Sequence, residues 1–370
     1  MNLKNNKDIS ILYLYKKGRK ERLLDNKIFP SEFFYGYQEL KKGGCKVNIW
    51  EEIDLSFQIK NKLIIKILNF NSKLFFNLPI KMILEFLINK THKKINKANI
   101  VICTTNSLGV TLSFLKTLGL VKSKIIFICM GLFKKKPNFL KLCIFQFILK
   151  KIELLTLSKS EYKFLKSFLL HSKVEYLPFG VDAEFWLPKK KDNKCEAYVL
   201  AVGNDLARDW KLLVNSWEEG FPNLKIISSL PINTLKKNIE VIEGNWHSKT
   251  LNDIEMRNLY RNSEFIIIPL KETIQPSGQS TCLQAMGCSK AVVLTKVKGI
   301  WDDDLMKHKE NVFFIRSGNE LDLKNSVKIL LNDINLRGSL GKGGRNLISS
   351  NFNSLNMANN LKNYLFGETF

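Results

Sequence analysis

A short Pro/Ser/Gly loop between two apolar runs is the sequence feature that most constrains the fold of this 370-residue chain. The first run, 264–270, and the second, 291–295, have the length and composition of buried strands. Residues 279–288 between them are typical of a helix. Strand, loop, helix and strand in this order predict a parallel βαβ unit. The loop that begins at Gln275 then lies at the carboxyl end of the first strand, where open parallel sheets bind ligands.

The side chains around this loop are polar and uncharged. The start of the helix offers N–H groups and a partial positive charge, which suit a phosphate group. Amides and hydroxyls without a histidine indicate a pocket for a polyhydroxylated, phosphorylated ligand such as a nucleotide sugar. The alternative is an ordinary strand–helix turn in which Gly278 relieves backbone strain. The side chains in question are Gln275, Ser277, Gln279, Ser280 and Gln284.

Strand-like and helix-like segments alternate along the chain in two successive series. The length exceeds what one core usually supports, so we expect two domains. Each series predicts a parallel α/β sheet, and the two Rossmann-like domains would face a central cleft. A stretch rich in Gly, Pro and Lys indicates a linker between them. The predicted division is an N-terminal domain at 1–180, a linker at 181–194, a C-terminal domain at 195–350 and a final helix at 351–370 that could cross back.

Two helix starts of the first series are predicted from capping residues. Pro30 cannot continue a helix from upstream and Ser31 can cap one, so a helix is expected from there to about Lys42, ending at Gly43. A second helix is expected to be capped at Asn106 and Ser107 and to end near residue 118.

The formal net charge of +24 suggests a nucleic-acid partner, but the kind of basic residue argues against one. Only eight of the 58 basic residues are Arg, and none lies between Arg22 and Arg208. Arg is the preferred residue for bidentate recognition of bases and phosphates. The excess of Lys could instead attract anionic lipid headgroups. Lysines and phenylalanines interleaved over 60–90 predict either a membrane-surface segment or a helical pair that covers a core.

Localisation is expected to be cytoplasmic, at the inner face of a membrane if the Lys-rich surface binds lipid. The first ten residues are polar and do not resemble a signal peptide, and no apolar run reaches the ~18–20 residues of a membrane span. Seven cysteines lie mostly in apolar segments, which is typical of reduced core thiols. The four histidines are scattered, so no metal site is expected.

Several segments, taken in order, resemble the motifs of one enzyme family. The chain is similar to the retaining glycosyltransferases of the two-Rossmann-domain (GT-B) type, specifically family 4 (glycosyl transferases group 1), over about residues 170–350. The similar segments are the connector Pro178-Phe179-Gly180-Val181-Asp182, the stretch Ala201-Val202-Gly203-Asn204, the stretch Leu259-Tyr260-Arg261 and the signature from Gly278 to Cys288 with the strand after it.

The resemblance also shows where this chain departs from the family. Two family glutamates eight positions apart serve the donor, one near the transferred sugar and one on the ribose. The second matches Gln284 and the first matches Gln275 or Pro276, so neither acid is present. The family carries two basic residues on the diphosphate; the first position is Asn204 here, and the second matches Arg208. Glu272 is the carboxylate nearest to the loop and could take part of the missing role.

The resemblance implies a metal-independent glycosyltransferase of the hexosyltransferase type, acting in bacterial surface polysaccharide synthesis. A nucleotide-sugar donor and a glycan or lipid-linked acceptor would be its substrates, without a further cofactor. Acceptor contacts are expected near 33–37 and at 106–107. The alternative function is a catalytically weak GT-B protein that binds a nucleotide or glycan, or acts as a scaffold. The implied catalytic residues are Arg208 and Gln275, and the implied donor-binding residues are Gly203, Asn204, Ser277, Gly278, Gln279, Ser280 and Gln284.

Overall fold

The computed structural model describes residues 9–24, 28–55, 59, 61–74, 78–189, 198–244 and 251–367. The chain divides into two compact units. Part of the predicted linker, 190–194, lies outside the described residues, as do Cys195 and His247. The first unit comprises Met1–Lys27, Gly36–Leu177 and Ala358–Phe370, and the second comprises Ile28–Tyr35 and Pro178–Met357.

The first unit contains a six-stranded parallel sheet. Its strands are β1 (Ser10–Tyr15), β2 (Lys46–Glu51), β3 (Ile100–Cys103), β4 (Lys124–Cys129), β5 (Glu153–Thr156) and β6 (Lys173–Tyr176). Their order across the sheet is β2-β1-β3-β4-β5-β6. Val101, for example, pairs with Leu12 on one side and Ile125 on the other. Apart from Lys124 at the start of β4, the residues of the central strands β3 and β4 are buried, as expected when both faces of a parallel sheet are covered.

Helices connect these strands and cover the sheet. The helices of this part of the chain are α1 (Arg19–Leu24), α2 (Tyr37–Lys42), α3 (Glu52–Leu55), α4 (Lys62–Leu74), α5 (Ile80–Ile88), α6 (Thr91–Ile95), α7 (Asn106–Thr117), α8 (Phe139–Leu149) and α9 (Lys159–Lys166). A core of aliphatic and aromatic side chains, with Phe86, Leu112 and Phe127 fully buried, lies between sheet and helices. The helix α8 was not predicted, because its apolar residues are spread around the helix without a clear period.

The second unit contains its own six-stranded parallel sheet. Its strands are β7 (Tyr198–Val202), β8 (Asn223–Ser228), β9 (Ile239–Glu243), β10 (Ile266–Ile268), β11 (Val292–Lys296) and β12 (Phe313–Arg316), in the order β12-β11-β10-β7-β8-β9. Its helices are α10 (Trp210–Ser216), α11 (Asp253–Asn262), α12 (Gln279–Gly287), α13 (Glu320–Asn332) and α14 (Ile334–Ser350); α15 (Ser354–Phe366) follows. The prediction of two successive parallel α/β series is therefore confirmed, and the strands predicted at 264–270 and 291–295 are β10 and β11.

The strand order of the second sheet reverses between β7 and β10. From β7 the chain proceeds through β8 and β9 on one side, then returns to β10 beside β7 and continues through β11 and β12 on the other. Adjacent loops at such a reversal leave in opposite directions, and the crevice outside the carboxyl ends of the strands is the usual ligand site of open α/β sheets. The loops after β7 and β10 are therefore the positions to examine for function.

The helix predicted from Ser31 to Lys42 is wrong in two respects. The chain forms a short 3-10 turn at Glu32–Phe34 and then enters the left-handed region at Tyr35 (φ 47°) and Gly36 (φ 77°), which ends any continuous helix. The Ser31 side chain does not cap; its hydroxyl donates to Ser354 Oγ at 3.0 Å.

The N-cap of α7 also differs from the prediction. It is Thr105, one residue before the predicted Asn106, since Thr105 Oγ1 accepts from the Leu108 amide.

Among the described residues, no helix is both long and apolar enough to cross a membrane. The described cysteines form no disulfide, and all of them except Cys143 are buried.

Replacing Gly109 by Ala should destabilise the first unit. An added Cβ in α7 would overlap the ring of Phe127 in β4, and overpacking of this kind costs about 1–3 kcal/mol. Gly338 in α14 is a matched control, because nothing lies within 4 Å of an added Cβ there. Gly338→Ala should be neutral or stabilising, since Ala favours a helix interior by up to about 1 kcal/mol over Gly. Urea unfolding of both variants measures the difference, and equal effects would contradict it.

Candidate functional site

The loop after β7 brings Arg208 to the end of β10. The backbone of Arg208 forms a bridge with Leu270, and the amide of Asp209 donates to the carbonyl of Pro269 at 3.0 Å. The amide of Lys271 donates back to the Ala207 carbonyl at 2.8 Å. These bonds fix the loop at the point where the strand order reverses.

The guanidinium of Arg208 is buried between two glycines. The residue is 4% exposed. A Cβ at Gly203, just after β7, would overlap Arg208 Nε, and a Cβ at Gly278, just before α12, would lie 2.7 Å from Nη1. Gly278 also has φ +78°, a region that other residues rarely adopt. Only glycine at both positions leaves room for the guanidinium.

Arg208 lacks the hydrogen bonds that a buried cation normally makes. Nη2 donates to Thr281 Oγ1 at 3.3 Å, and Nη1 lies 3.5 Å from the Asp205 carboxylate. Within the described residues, Nε and Nη1 have no hydrogen-bond partner. Burial lowers the pKa of Arg208, and the negative charge of Asp205 opposes that shift. Because an unsatisfied buried charge is costly, this arrangement suits an anion that completes the site.

The start of α12 adds backbone donors beside the guanidinium. Gly278 is the N-cap residue of α12. Because glycine has no side-chain oxygen, the N-cap residue makes no side-chain hydrogen bond to the first turn. The amide of Gln279 lies 3.4 Å from the Pro276 carbonyl, a long hydrogen bond. Gln279 is buried, whereas Ser277 and Ser280 are half-buried. A helix N-terminus next to a buried Arg is a combination suited to phosphate oxygens.

Two residues predicted to bind the donor make structural contacts in the loops. The Asn204 amide group donates to the Gly244 carbonyl at 2.9 Å, and its oxygen accepts from the Ser229 amide at 2.6 Å. Gln275 is half-buried, and its carbonyl accepts from the Ser277 amide at 2.7 Å. Glu272 is exposed and accepts from the Lys298 amide at 3.0 Å. Donor roles for Asn204 and Gln275 stay predictions.

The Gln284 side chain is bonded within the second unit at both ends. Its Nε2 donates to Glu32 Oε1 at 3.0 Å, and its Oε1 accepts from the Tyr260 hydroxyl at 3.4 Å. The residue is 7% exposed. A ribose contact would use the remaining N–H or lone pair of this amide, so that role also stays a prediction.

Glu32 is a buried carboxylate that the sequence did not identify as part of the site. It is fully buried, and its Oε1 also accepts from the Trp186 indole at 2.9 Å, while Oε2 accepts from the Asp182 amide at 3.1 Å. Burial raises the pKa of Glu32 to about 7, and these N–H donors oppose the shift. Glu32 lies 252 positions before Gln284 in the chain, so no local spacing could have connected them.

The residues predicted near the acceptor do not belong to one unit. Phe33 and Tyr35 belong to the second unit, and Tyr37 belongs to the first, where it packs edge-on against Tyr13. Asn106 lies after β3, and its amide group donates to the carbonyls of Met130 and Gly131.

Comparison with known proteins identifies the fold. No protein-family profile and no curated protein sequence matches the chain. A glycosyltransferase structure from Rickettsia africae is 17% identical, with a TM-score of 0.68 over 97% of this chain and 98% of that one. Sucrose-phosphate synthase from Thermosynechococcus elongatus is 14% identical, with a TM-score of 0.69 over 98% and 100%. Anabaena Alr3699/HepE, solved in complex with UDP-glucose, is 11% identical, with a TM-score of 0.65 over 97% and 100%.

The predicted fold class is confirmed by these similarities. Two six-stranded parallel α/β sheets in one chain match the GT-B fold of known glycosyltransferases.

Replacing Glu32 by Gln should change how stability depends on pH. Because the pKa of Glu32 is raised in the folded state, the folded protein binds this proton more tightly than the unfolded chain. Ionisation of the Glu32 carboxyl therefore makes the folded state less stable as pH rises from about 4.5 to about 7. Over that window, the free energy of unfolding of the wild type relative to Glu32→Gln should fall by about 2–3 kcal/mol. Urea unfolding at several pH values measures it.

Exposed Glu184 offers a matched control for the loss of one negative charge. Glu184→Gln should shift stability by less than about 0.5 kcal/mol at every pH in that window. A pH-independent difference between wild type and Glu32→Gln would show that Glu32 does not titrate in this range.

Proposed function

We propose that this protein is a glycosyltransferase that moves a sugar from a nucleotide-sugar donor to a glycan or lipid-linked acceptor. The observation that carries the proposal is the buried Arg208 guanidinium, with Nε and Nη1 unsatisfied within the described residues. It lies beside the start of α12, at the strand-order reversal. A diphosphate would supply the oxygens that Arg208 Nε and Nη1 lack among the described residues. The shared fold and the UDP-glucose complex of Alr3699/HepE support a nucleotide sugar as the source of that diphosphate.

In the proposed reaction, Arg208 and the amides of Gly278 and Gln279 stabilise the negative charge that develops on the departing diphosphate. Groups held in place before the reaction are effective because they need no reorganisation as charge develops. Gln284 would contact the ribose and Gln275 the transferred sugar. Since a buried cation and a helix N-terminus can stabilise developing charge without an ion, we propose that no metal is needed and that turnover persists in excess EDTA.

The finer features of the proposal rest on the sequence resemblance to family 4. They are retention of configuration at the anomeric carbon, a hexosyl group as the transferred sugar and a role in bacterial surface polysaccharide synthesis. Retention is measured directly, since the proton NMR spectrum of the product gives the anomeric configuration relative to the donor.

A binding or scaffold protein with the same fold is the second candidate. The observation that favours it is the amide of Gln284, engaged with Glu32 and Tyr260 where the family has a free carboxylate. Incubation with a panel of nucleotide sugars, with released nucleotide read by mass spectrometry, separates the two candidates. Release that depends on an acceptor supports the transferase. Calorimetric binding of a nucleotide sugar without any release supports the binding protein.

Replacing Arg208 by Ala should lower donor turnover by at least about 100-fold, the loss expected when one preorganised charged donor is removed. Arg208→Lys keeps the charge but not the planar fork, so we expect a partial loss. Released nucleotide measures turnover, and pyrophosphate calorimetry measures the anion site itself. Unchanged turnover in Arg208→Ala, with the folded state verified by circular dichroism, would remove Arg208 from the proposed role.

We also propose that helix α4 in the first unit binds an anionic membrane surface at the cytoplasmic face. Leu63, Ile64, Ile67 and Phe70 are 43–67% exposed and recur at helical spacing, whereas Leu68 is buried. The helix carries lysines, such as Lys66, and no acidic residue. Exposed apolar and basic side chains together are typical of helices that lie in a lipid interface.

The double replacement Ile67→Glu/Phe70→Glu should weaken binding to vesicles with anionic phosphatidylglycerol by at least about tenfold, since it removes apolar contact and adds repulsion. Both side chains are exposed, so folding should be unaffected. Leu321→Glu, at a 64% exposed site in α13, is the control and should bind as the wild type does. Vesicle co-sedimentation measures binding. Equal binding by all three proteins, or no binding by the wild type, would contradict the role of α4.

A further inference from the structure

We propose that the outer face of helix α8 binds an anionic lipid surface, as a second membrane contact of the first unit besides α4. The outer face is formed by Phe139, Leu140, Cys143 and Phe147. The inference deepens the proposed function, since it rests on the membrane surface proposed there as a partner. Its own evidence is the arrangement of apolar and polar side chains on α8.

The outer face of α8 is the reverse of what a surface helix usually presents to solvent. Phe139, Leu140 and Phe147 are 82%, 60% and 55% exposed, and Cys143 between them is exposed as well. At 3.6 residues per turn, these four positions fall within an arc of about 100°. A helix that packs on a core normally turns polar residues to this side. Contiguous exposed apolar side chains of this kind mark an interaction site.

The polar side chains of α8, Lys141 and Gln146, are held by the protein instead. Gln146 Nε2 donates to the Phe168 carbonyl at 2.7 Å. The Lys141 ammonium lies 5.3 Å and 5.5 Å from the ring centroids of the buried Phe133 and Phe145. Both side chains are therefore engaged with the core side of the helix, and the exposed arc is left to the apolar residues.

The surroundings of α8 carry no exposed acid that would repel an anionic partner. The sequence has 13 lysines and no acidic residue between Glu85 and Glu153. Helix α7, against which α8 packs, has no acidic residue. In α9, Glu161 is buried and accepts from the Leu132 amide at 2.9 Å. Charge complementarity therefore selects a negatively charged partner.

Lysines flank the apolar face of α8 at both ends. Residues 134–136 are exposed lysines just before the helix, and Lys150 and Lys151 are exposed at its end. The Lys150 ammonium lies 4.6 Å from the centroid of the Phe147 ring, so its stem already extends along the apolar face. Lysines arranged in this way keep their charge at the headgroup level while apolar side chains enter the lipid.

A lipid surface fits this combination better than another protein does. Headgroup phosphates surround an inserted apolar side chain on every side, so lysines at both ends of α8 meet anions without a matched geometry in the partner. A protein partner would need acids at two defined positions around an apolar patch. A second copy of this chain would bring lysines against lysines, which repel.

Helices α4 and α8 belong to one layer of helices in the first unit. Helix α4 packs against α5, α5 packs against α7, and α7 packs against α8. A single interfacial contact gives weak, reversible membrane binding, and two contacts on one compact body strengthen each other. We therefore expect the first unit to bind a bilayer through α4 and α8 together.

A fluorophore on Cys143 tests whether α8 itself enters the lipid. The other described cysteines are buried, and Cys195→Ser removes the cysteine outside the described residues. An environment-sensitive dye at Cys143 should shift its emission to the blue on phosphatidylglycerol vesicles but not on phosphatidylcholine vesicles. Unchanged emission in protein that co-sediments with the vesicles would overturn the inference, and an equal shift on both lipids would contradict the anionic partner.

The double replacement Leu140→Ala/Phe147→Ala tests the apolar face without changing the charge. It should weaken binding to phosphatidylglycerol vesicles by at least about tenfold, because it removes apolar area from the contact. Both side chains are exposed, so folding should be unaffected. Leu235→Ala/Leu321→Ala, at exposed sites in the second unit, is the matched control and should bind as the wild type does.

Combination with the α4 variant shows whether the two helices act together. Adding Leu140→Ala/Phe147→Ala to Ile67→Glu/Phe70→Glu should multiply the two losses, as expected for two contacts with one surface. A loss no larger than that of the α4 variant alone would assign membrane binding to α4 only.

The remaining outcomes separate this inference from the proposed function. Wild-type binding by Leu140→Ala/Phe147→Ala would leave the lysines as the cause of binding and overturn the role of the apolar face. If the wild type does not bind vesicles, both membrane contacts fail. Nucleotide release from the donor is measured without vesicles, so the glycosyltransferase proposal stands or falls separately.

Discussion

The burial of one guanidinium group sets the conditions for the rest of the candidate site. Arg208 can lie beneath the start of α12 only because Gly203 and Gly278 have no side chains there. Desolvation disfavours its charge, and Asp205 at 3.5 Å compensates only in part. The strand order places the loops that carry these residues side by side. A buried cation whose Nε and Nη1 have no hydrogen-bond partner in the described part of the chain therefore follows from the topology and from two glycines. The proposed chemistry depends on this group.

A second buried charge in the same unit comes from a distant part of the chain. The Ile28–Tyr35 segment carries Glu32 to Gln284, and three N–H donors hold its carboxylate. Buried charges are costly unless they are bonded, so Glu32 and its donors constrain one another. The segment turns sharply at Tyr35 and Gly36, where positive φ ends the 3-10 turn. This local geometry explains why the chain here does not form the continuous helix that Ser31 suggested.

The sequence predicted the parts of the structure that depend on neighbours along the chain. Apolar runs located the strands, and the loop before α12 was placed correctly at the carboxyl end of β10, because a βαβ unit fixes that relation. Arg208 was singled out only through resemblance to a family motif; its burial between two glycines depends on contacts across loops that no periodicity reveals. Glu32 was missed for the same reason. Its burial is visible only once residues 252 positions apart are brought together.

The absence of acids at 275 and 284 has a different meaning once Glu32 is included. In the sequence motif alone, Gln284 lacks the negative charge of the glutamate that the resemblance implies at this position. In the structure, a carboxylate lies 3.0 Å from its amide, and Glu32 belongs to the same compact unit. A glutamate at 284 would place two carboxylates against each other in a buried site, and like charges at that distance cannot both ionise. Gln284 is thus the residue compatible with Glu32, and the two positions are best understood as one pair, in which Glu32 supplies the carboxyl group and α12 supplies the amide.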